Sequence, residues 1–205
     1  MRWIMLTLAV TLAALGACSE ERKQSDPVDT TLNDPEPTPV PKPVTRIALD
    51  DALAFSSTSE CIAGDVLERI YAKLDTAMEK GADGIRIKLD AFPAGLPVTA
   101  KSTTDAEGAY AANAGVRFPE GAMWNGLKLS RITANRYVPP ETDSSYWKRI
   151  TFLETPQDVQ RALVRAGFDA KLQPDYSELH DQACGGSMAI EAISGGAALS
   201  CGWGC

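Results

Sequence analysis

The chain has 205 residues, 44% of them hydrophobic and 23% charged, with 20 basic and 27 acidic side chains and a net charge of −7. These are the proportions of a globular protein with an ordinary core. An acidic chain without a basic stripe argues against nucleic acid as a partner, because phosphate contacts need clustered Lys and Arg.

The first element is apolar. Arg2 carries one positive charge, and Ile4 to Ala14 is then almost wholly hydrophobic, the n-region and h-region of a secretory signal. A segment of this length covers about 20 Å as a helix, short of the roughly 30 Å of a bilayer core, so the expectation is export rather than spanning. The segment ends in Leu15-Gly16-Ala17-Cys18. An ordinary signal peptidase site wants small residues in an A-x-A arrangement, and Leu15 does not fit it.

Leu15 to Cys18 instead resembles the lipobox of bacterial lipoproteins. The resemblance covers about the first twenty residues. It implies a signal peptide over 1–17, a thioether-linked diacylglyceryl group on Cys18 as the first mature residue, and a fatty acyl chain such as palmitate on the new amine. Two or more chains anchor stably where one does not, so the implied location is the cell envelope, with the membrane as a partner through the lipid. Ser19 in place of Asp after the cysteine implies sorting to the outer membrane, with the domain facing the periplasm. The mature chain would carry 19 basic and 27 acidic residues, net −8. That charge gives no electrostatic reason to lie on anionic lipid.

Residues 18–45 read as a lipidated N-terminus and disordered linker. Pro27, Pro35, Pro37, Pro39, Pro41 and Pro43 fall in a stretch with little to bury. A single globular domain is expected over 46–205.

Within it, a short apolar stretch covers Ile47 to Phe55. The clearest helix runs from Ser59 to Lys80, with Ile62, Val66, Ile70, Leu74 and Met78 recurring every four residues. Ser57 with Glu60 fits a capping box and Gly81 a C-terminal stop, while Gly64 allows the start to slip to Asp65. Ile85, Ile87 and Leu89 alternate with polar residues as a half-buried strand. From Phe92 to Gly115, Pro93, Gly95, Pro97 and a small polar run predict loops with at most one weak strand.

Gly126 to Val138 and Tyr146 to Glu154 read as two long strands. An apolar phase shift near Arg131 and Ile132 marks a bulge or a strand covered on both faces. Thr155-Pro156-Gln157-Asp158 is a helix start, Val159, Ala162, Leu163 and Ala166 the buried face, and Gly167 the stop. Phe168 to Leu172 returns as a strand. Ser187 to Ser194 and Ala197 to Trp203 flank Gly195-Gly196 as a hairpin. The expected fold class is therefore α+β, an antiparallel sheet with two principal helices.

With Cys18 taken by lipid, Cys61, Cys184, Cys201 and Cys205 form an even set for disulfides in an oxidising compartment. If Ser194 faces Ala197, Cys201 lies opposite Ile190 and Cys205 near Gly186. This favours Cys184 with Cys205 and Cys61 with Cys201. A folded-back tail at Gly202 and Gly204 favours Cys201 with Cys205 and Cys61 with Cys184.

No reactive constellation stands out. His180 has acids nearby in Asp175-Tyr176-Ser177-Glu178-Leu179-His180-Asp181, but no G-x-S-x-G elbow, H-E-x-x-H or EF-hand spacing accompanies it. Asp50-Asp51, Asp83 and Asp90 offer carboxylates for a glycosidase without a pattern that sets them apart. Trp124, Trp147 and Trp203, with Tyr137 and Tyr146, are expected to pack first and to line a binding face only secondarily. No catalytic residue, metal site or cofactor is assigned. The expected role is non-enzymatic binding, inhibition or envelope maintenance, with another envelope protein as the partner. The rivals are a two-carboxylate cell-wall or glycan hydrolase and an immunity protein against a toxin.

Overall fold

The computed structural model describes residues 44–141, 144–179 and 185–204. Of the sequence expectations, the signal segment, Cys18, nearly all of the linker, His180, Asp181, Cys184 and Cys205 lie outside them. In chain order the elements are β1 (Ile47–Ala48), β2 (Phe55–Ser57), β3 (Ile62–Ala63), α1 (Asp65–Lys80), β4 (Arg86–Leu89), β5 (Phe92–Thr104), β6 (Tyr110–Arg117), β7 (Ala122–Trp124) and β8 (Leu127–Val138). There follow β9 (Ser145–Phe152), α2 (Pro156–Arg165), β10 (Lys171–Leu172), β11 (Ser177–Leu179), β12 (Gly186–Ile193) and β13 (Gly196–Gly204). Among the described residues the fold is mostly β rather than the expected α+β, with two helices laid on one large mixed sheet.

The sheet runs β10-β12-β13-β9-β8-β6-β5-β4. β11 shares the edge of β12 with β10, and β7 joins β8 and carries β1. All pairings are antiparallel except β1 with β7 and β10 with β12. α1 packs over β5, β6 and β8, and α2 over β10, β12 and β13, on the same face of the sheet. Strand side chains alternate between faces. One set, including Val98, Ala114, Ile132, Ile150, Leu199 and Ile190, is therefore buried under the helices. The other set faces away from them.

The predicted first turn of α1 is not helical. Gly64 is the N-cap, because glycine there adds no helix propensity and a Cβ at that position would press on the Ala54 carbonyl at 2.7 Å. The chain ahead of it doubles back as the β2–β3 hairpin. Ser57 Oγ accepts from the Glu60 N–H at 3.3 Å, so the capping-box contact forms in that turn and not on the helix. At the other end, Gly81 takes φ +87°, as its reading as the stop required.

The largest departure from expectation is β5 and β6, two long strands where loops were predicted. The helix-side residues of β6, Ala112, Ala114 and Val116, and Ala100 on β5 are small or modest in size where α1 lies over these strands. Small residues allow a helix to approach a sheet closely, and they also erase the large-apolar alternation by which a strand is read. The turn between the strands is closed by Asp105, whose Oδ1 accepts from the N–H groups of Glu107 and Ala109, each at 2.9 Å.

Elsewhere the local signals and the structure agree. β8 carries a bulge between Leu129 and Arg131, where its register against β9 shifts, at the phase break in the sequence. Thr155 caps α2, its hydroxyl accepting from the Asp158 N–H at 3.3 Å. The final hairpin, however, turns at Ser194-Gly195, with Ile193 opposite Gly196. Gly196 cannot be a turn residue because it already lies against β9: a Cβ there would sit 2.0 Å from the Phe152 carbonyl oxygen. Cys201 is consequently opposite Met188, not Ile190.

Cys201 points to the helix side of β13 and is bonded to Cys61, with Cα atoms 6.3 Å apart. Of the two pairings open at the sequence level, this is one half of the first. Both residues are 3% exposed. The bond ties the segment just ahead of α1 to a central strand of the sheet, in the gap between the regions that α1 and α2 cover.

Candidate functional site

The two faces of the sheet differ in chemistry, and that difference locates the site. Beneath the helices the aromatic residues are structural. Trp124 is buried among Phe55, Phe152 and Phe168, with ring centroids at 5.8, 5.7 and 5.9 Å, and its indole N–H donates to the Leu53 carbonyl at 3.2 Å.

Tyr146 and Trp203 stack at 6.1 Å. Beside them the Lys148 ammonium lies 4.5 Å from the Tyr71 ring centre, 5.5 Å from that of Trp203 and 2.8 Å from Glu68. Tyr146 donates to Asp75 at 3.0 Å. Burial pushes both phenols up, and the nearby acids reinforce the shift.

Burial also raises the Asp75 carboxyl above its ordinary 3.8, although Tyr146, Lys148 and Arg136 oppose the shift. A folded-state pKa above the unfolded one means that the native protein holds the proton more tightly. This contribution is therefore fully favourable at low pH and is lost as pH rises from the unfolded value through the folded one. Asp75→Asn keeps an acceptor for Tyr146 and removes the penalty. Its melting temperature, relative to the parent, should rise as pH increases through the carboxylate range and then level off at neutrality. Because the group is half-buried, the gain should be under about 1 kcal/mol. Thermal melts of both proteins from pH 3 to 7 check this, and a parallel pair of curves would contradict it.

Among the described residues the opposite face carries no helix. Cross-strand registers align Asn113, Asn135, Trp147, Gly202 and Ser187 in one row across β6, β8, β9, β13 and β12, and Gly115, Thr133, Arg149, Ser200 and Ala189 in the next. Four strand spacings make each row about 19 Å long. On the β6–β8 side the surface is flat and polar. Asn113 donates to Asn135, and the Arg131 side chain lies along Gly115, where a Cβ would meet its Nε at 2.7 Å. Burial, with Arg117 as the second cause, lowers the Arg131 pKa.

On the β9–β13–β12 side the face deepens into an open cleft of about 720 Å³. Its floor is short side chains: Gly202, Ser200, Ser187 and Ala189. Trp147 borders it from β9, and residues 173–176 with Glu178 form the far wall. Arg149 and Glu191 bridge the floor, Nη2 lying 2.8 Å from Oε2 and 3.1 Å from Oε1, while Arg149 Nε donates to Ser200 at 3.4 Å. The guanidinium sits 5.9 Å from the Trp147 ring centre. The indole N–H of Trp147 is buried without a hydrogen-bond partner among the described residues.

The residues singled out from the sequence separate accordingly. Cys61 and Cys201 come together. Trp124, Trp203 and Tyr146 belong to the core side, whereas Trp147 and Tyr137 stand on the open face. Asp50 accepts from the Asn125 N–H. Asp51, Asp83 and Asp90 are exposed at other connections, so these four acids do not line the cleft. Of the 175–181 segment, Asp175, Tyr176, Glu178 and Leu179 line it. Among the described residues no three His, Cys, Asp or Glu side chains gather as metal ligands, and no helix is long and apolar enough to cross a membrane.

Sequence reasoning missed Arg149, Glu191 and the small-residue floor. One signal was available: Trp147 and Arg149 are out of phase with Ile150 and Phe152, so they had to face away from the core. No family model, curated protein or solved structure matches the chain.

Proposed function

We propose that this chain is a lipid-anchored ligand-binding protein of a bacterial envelope, held through Cys18 and recognising its partner non-enzymatically at the cleft of the helix-free face. The observation that carries the binding role is the cleft itself: an aromatic wall, a half-buried ion pair and a floor of Gly, Ser and Ala on three central strands. A concave surface with a few convergent polar groups is the usual form of a ligand site. Rigid strands hold those groups in place. The lipobox resemblance supports the anchor, and the Pro-rich stretch would let the domain stand off the bilayer by several tens of Å.

Cys18→Ser should abolish lipidation and move the protein from the membrane fraction to the soluble one. Mass spectrometry of the parent's mature N-terminus should find the acylated cysteine. An unmodified N-terminus, or unchanged fractionation of the variant, would refute the anchor.

A second reading has one observation in its favour, since Asp175, Glu178 and Glu191 line the same cleft and a glycosidase needs two carboxyl groups. Release of soluble fragments from peptidoglycan or glycan by the purified protein, lost in Glu178→Gln or Glu191→Gln, would replace binding by hydrolysis. The inhibitor reading rests on acidic charge alone, which steers association with a basic partner. The cysteines outside the described residues belong to the proposal as well. With Cys61 and Cys201 joined, the remaining pair is Cys184 with Cys205, and peptide mapping under non-reducing conditions reads it directly.

A further inference from the structure

We propose that the cleft takes a glycan chain that carries no negative charge, an inference that rests on the cleft being the binding site. The charge of the lining sets the first limit. Arg149 is the one cation among the described lining residues and is already matched by Glu191, while Asp175 and Glu178 are exposed and have no ion-pair partner among the described residues. A phosphate, sulfate or carboxylate ligand would meet a net negative wall.

The polar groups of the lining set the second limit. The Ser187 hydroxyl and the exposed Asp175 and Glu178 carboxylates border the space in place of apolar bulk, so a lipid chain or other fully apolar ligand would desolvate them without offering partners. What remains is a polar, uncharged ligand with an apolar face.

Trp147 and its neighbours supply the matching surface. Its neighbour in the row is Gly202, and even a Cβ there would only reach ordinary contact distance, 3.7 Å from the Trp147 Cβ. Trp147 itself is half-buried and lines the cleft. A pyranose ring has C–H groups on one face and hydroxyls around its rim. It would lay the first on the indole and offer the second to fixed polar groups beside it.

The Arg149–Glu191 pair is such a group. A guanidinium has five N–H donors. Ser200 and Glu191 engage those on Nε and Nη2, whereas Nη1 has no hydrogen-bond partner among the described residues. Tyr176, 54% exposed on the far wall, offers a second ring. The row of Asn135 and Asn113 beyond Trp147 continues with amides along the same line. An aromatic platform, a half-engaged planar cation and a line of amides suit an extended oligosaccharide better than a single sugar.

The test uses the full chain in detergent micelles, titrated by calorimetry with three uncharged tetrasaccharides (chitotetraose, cellotetraose and maltotetraose) and with a heparin-derived tetrasaccharide as the anionic counterpart. At least one uncharged tetramer should bind and change indole emission, and the heparin fragment should not bind. Trp147→Ala should weaken binding by about tenfold, Trp147→Phe should retain most of it, and Tyr176→Ala should weaken it by a smaller factor, with thermal melts showing all three folded.

Failure of every uncharged tetramer to bind, preference for the heparin fragment, or affinity unchanged in both alanine variants would overturn the glycan assignment. A photo-crosslinker at Ser187 separates the two levels of the argument. If no tetramer binds but the crosslinker captures an envelope protein in a Trp147-dependent manner, the glycan falls and the binding site stands. If neither occurs, both fall.

Discussion

Replacing Cys61 and Cys201 together by alanine should cost about 4 to 5 kcal/mol of folding stability, the largest effect expected from any covalent change in the domain. The two residues are 140 positions apart. In the chain-entropy account, the restriction that a cross-link places on the unfolded chain grows with the logarithm of the loop it closes, reaching about 4.7 kcal/mol for 100 residues. The native geometry is favourable too, since Cα atoms 6.3 Å apart fall within the usual span. Domains have only about 5 to 15 kcal/mol in total.

At roughly 2 to 4 °C per kcal/mol for a domain of this size, the melting temperature should fall by about 8 to 20 °C. Under reducing conditions the double variant and the parent should melt alike. A fall of less than about 3 °C in the double variant would show that the β2–β3 hairpin and the head of α1 are held to β13 by packing alone.

Trp124→Ala should be nearly as damaging, at about 3 to 5 kcal/mol. The ring is 2% exposed and touches Phe55, Phe152 and Phe168. Its removal opens a cavity where the N-terminal strands, the last residues of β9 and the segment after α2 meet. Trp124→Phe keeps a ring in place and leaves the Leu53 carbonyl without its indole donor, which should cost about 1 to 3 kcal/mol. Trp147→Ala removes the same residue type from the open face and should cost less than about 1.5 kcal/mol. Chemical denaturation of the three variants checks the order. Equal losses at 124 and 147 would mean that the open face is covered in solution.

That contrast marks the limit of what the residues reveal on their own. Trp124, Trp147 and Trp203 look alike in sequence, and each lies in a strand-forming stretch. Their roles diverge because a strand sends alternate side chains to opposite faces, and only the packed sheet decides which face receives a helix. Trp147 falls on the uncovered side with Arg149. Tyr146 and Lys148, one residue away, fall under α1.

The boundaries of α2, the end of α1, the bulge in β8 and the alternation of β4 were legible because each depends on contacts within a few residues: a cap, a glycine at positive φ, a phase break, a period of two. β5 and β6 were not legible, because their alanines are small to admit a helix that belongs to another part of the chain. The hairpin turn was misplaced by one residue for a similar reason, since Gly196 is a glycine to suit the Phe152 carbonyl of the next strand and not the turn. Likewise Cys61 meets Cys201 because α1 brings its own N-terminal approach over the centre of the sheet, which no spacing of cysteines encodes. Local hydrogen bonding is written in neighbouring residues, whereas the cleft, the cystine and the division of the aromatics exist only where distant segments compete for the same space.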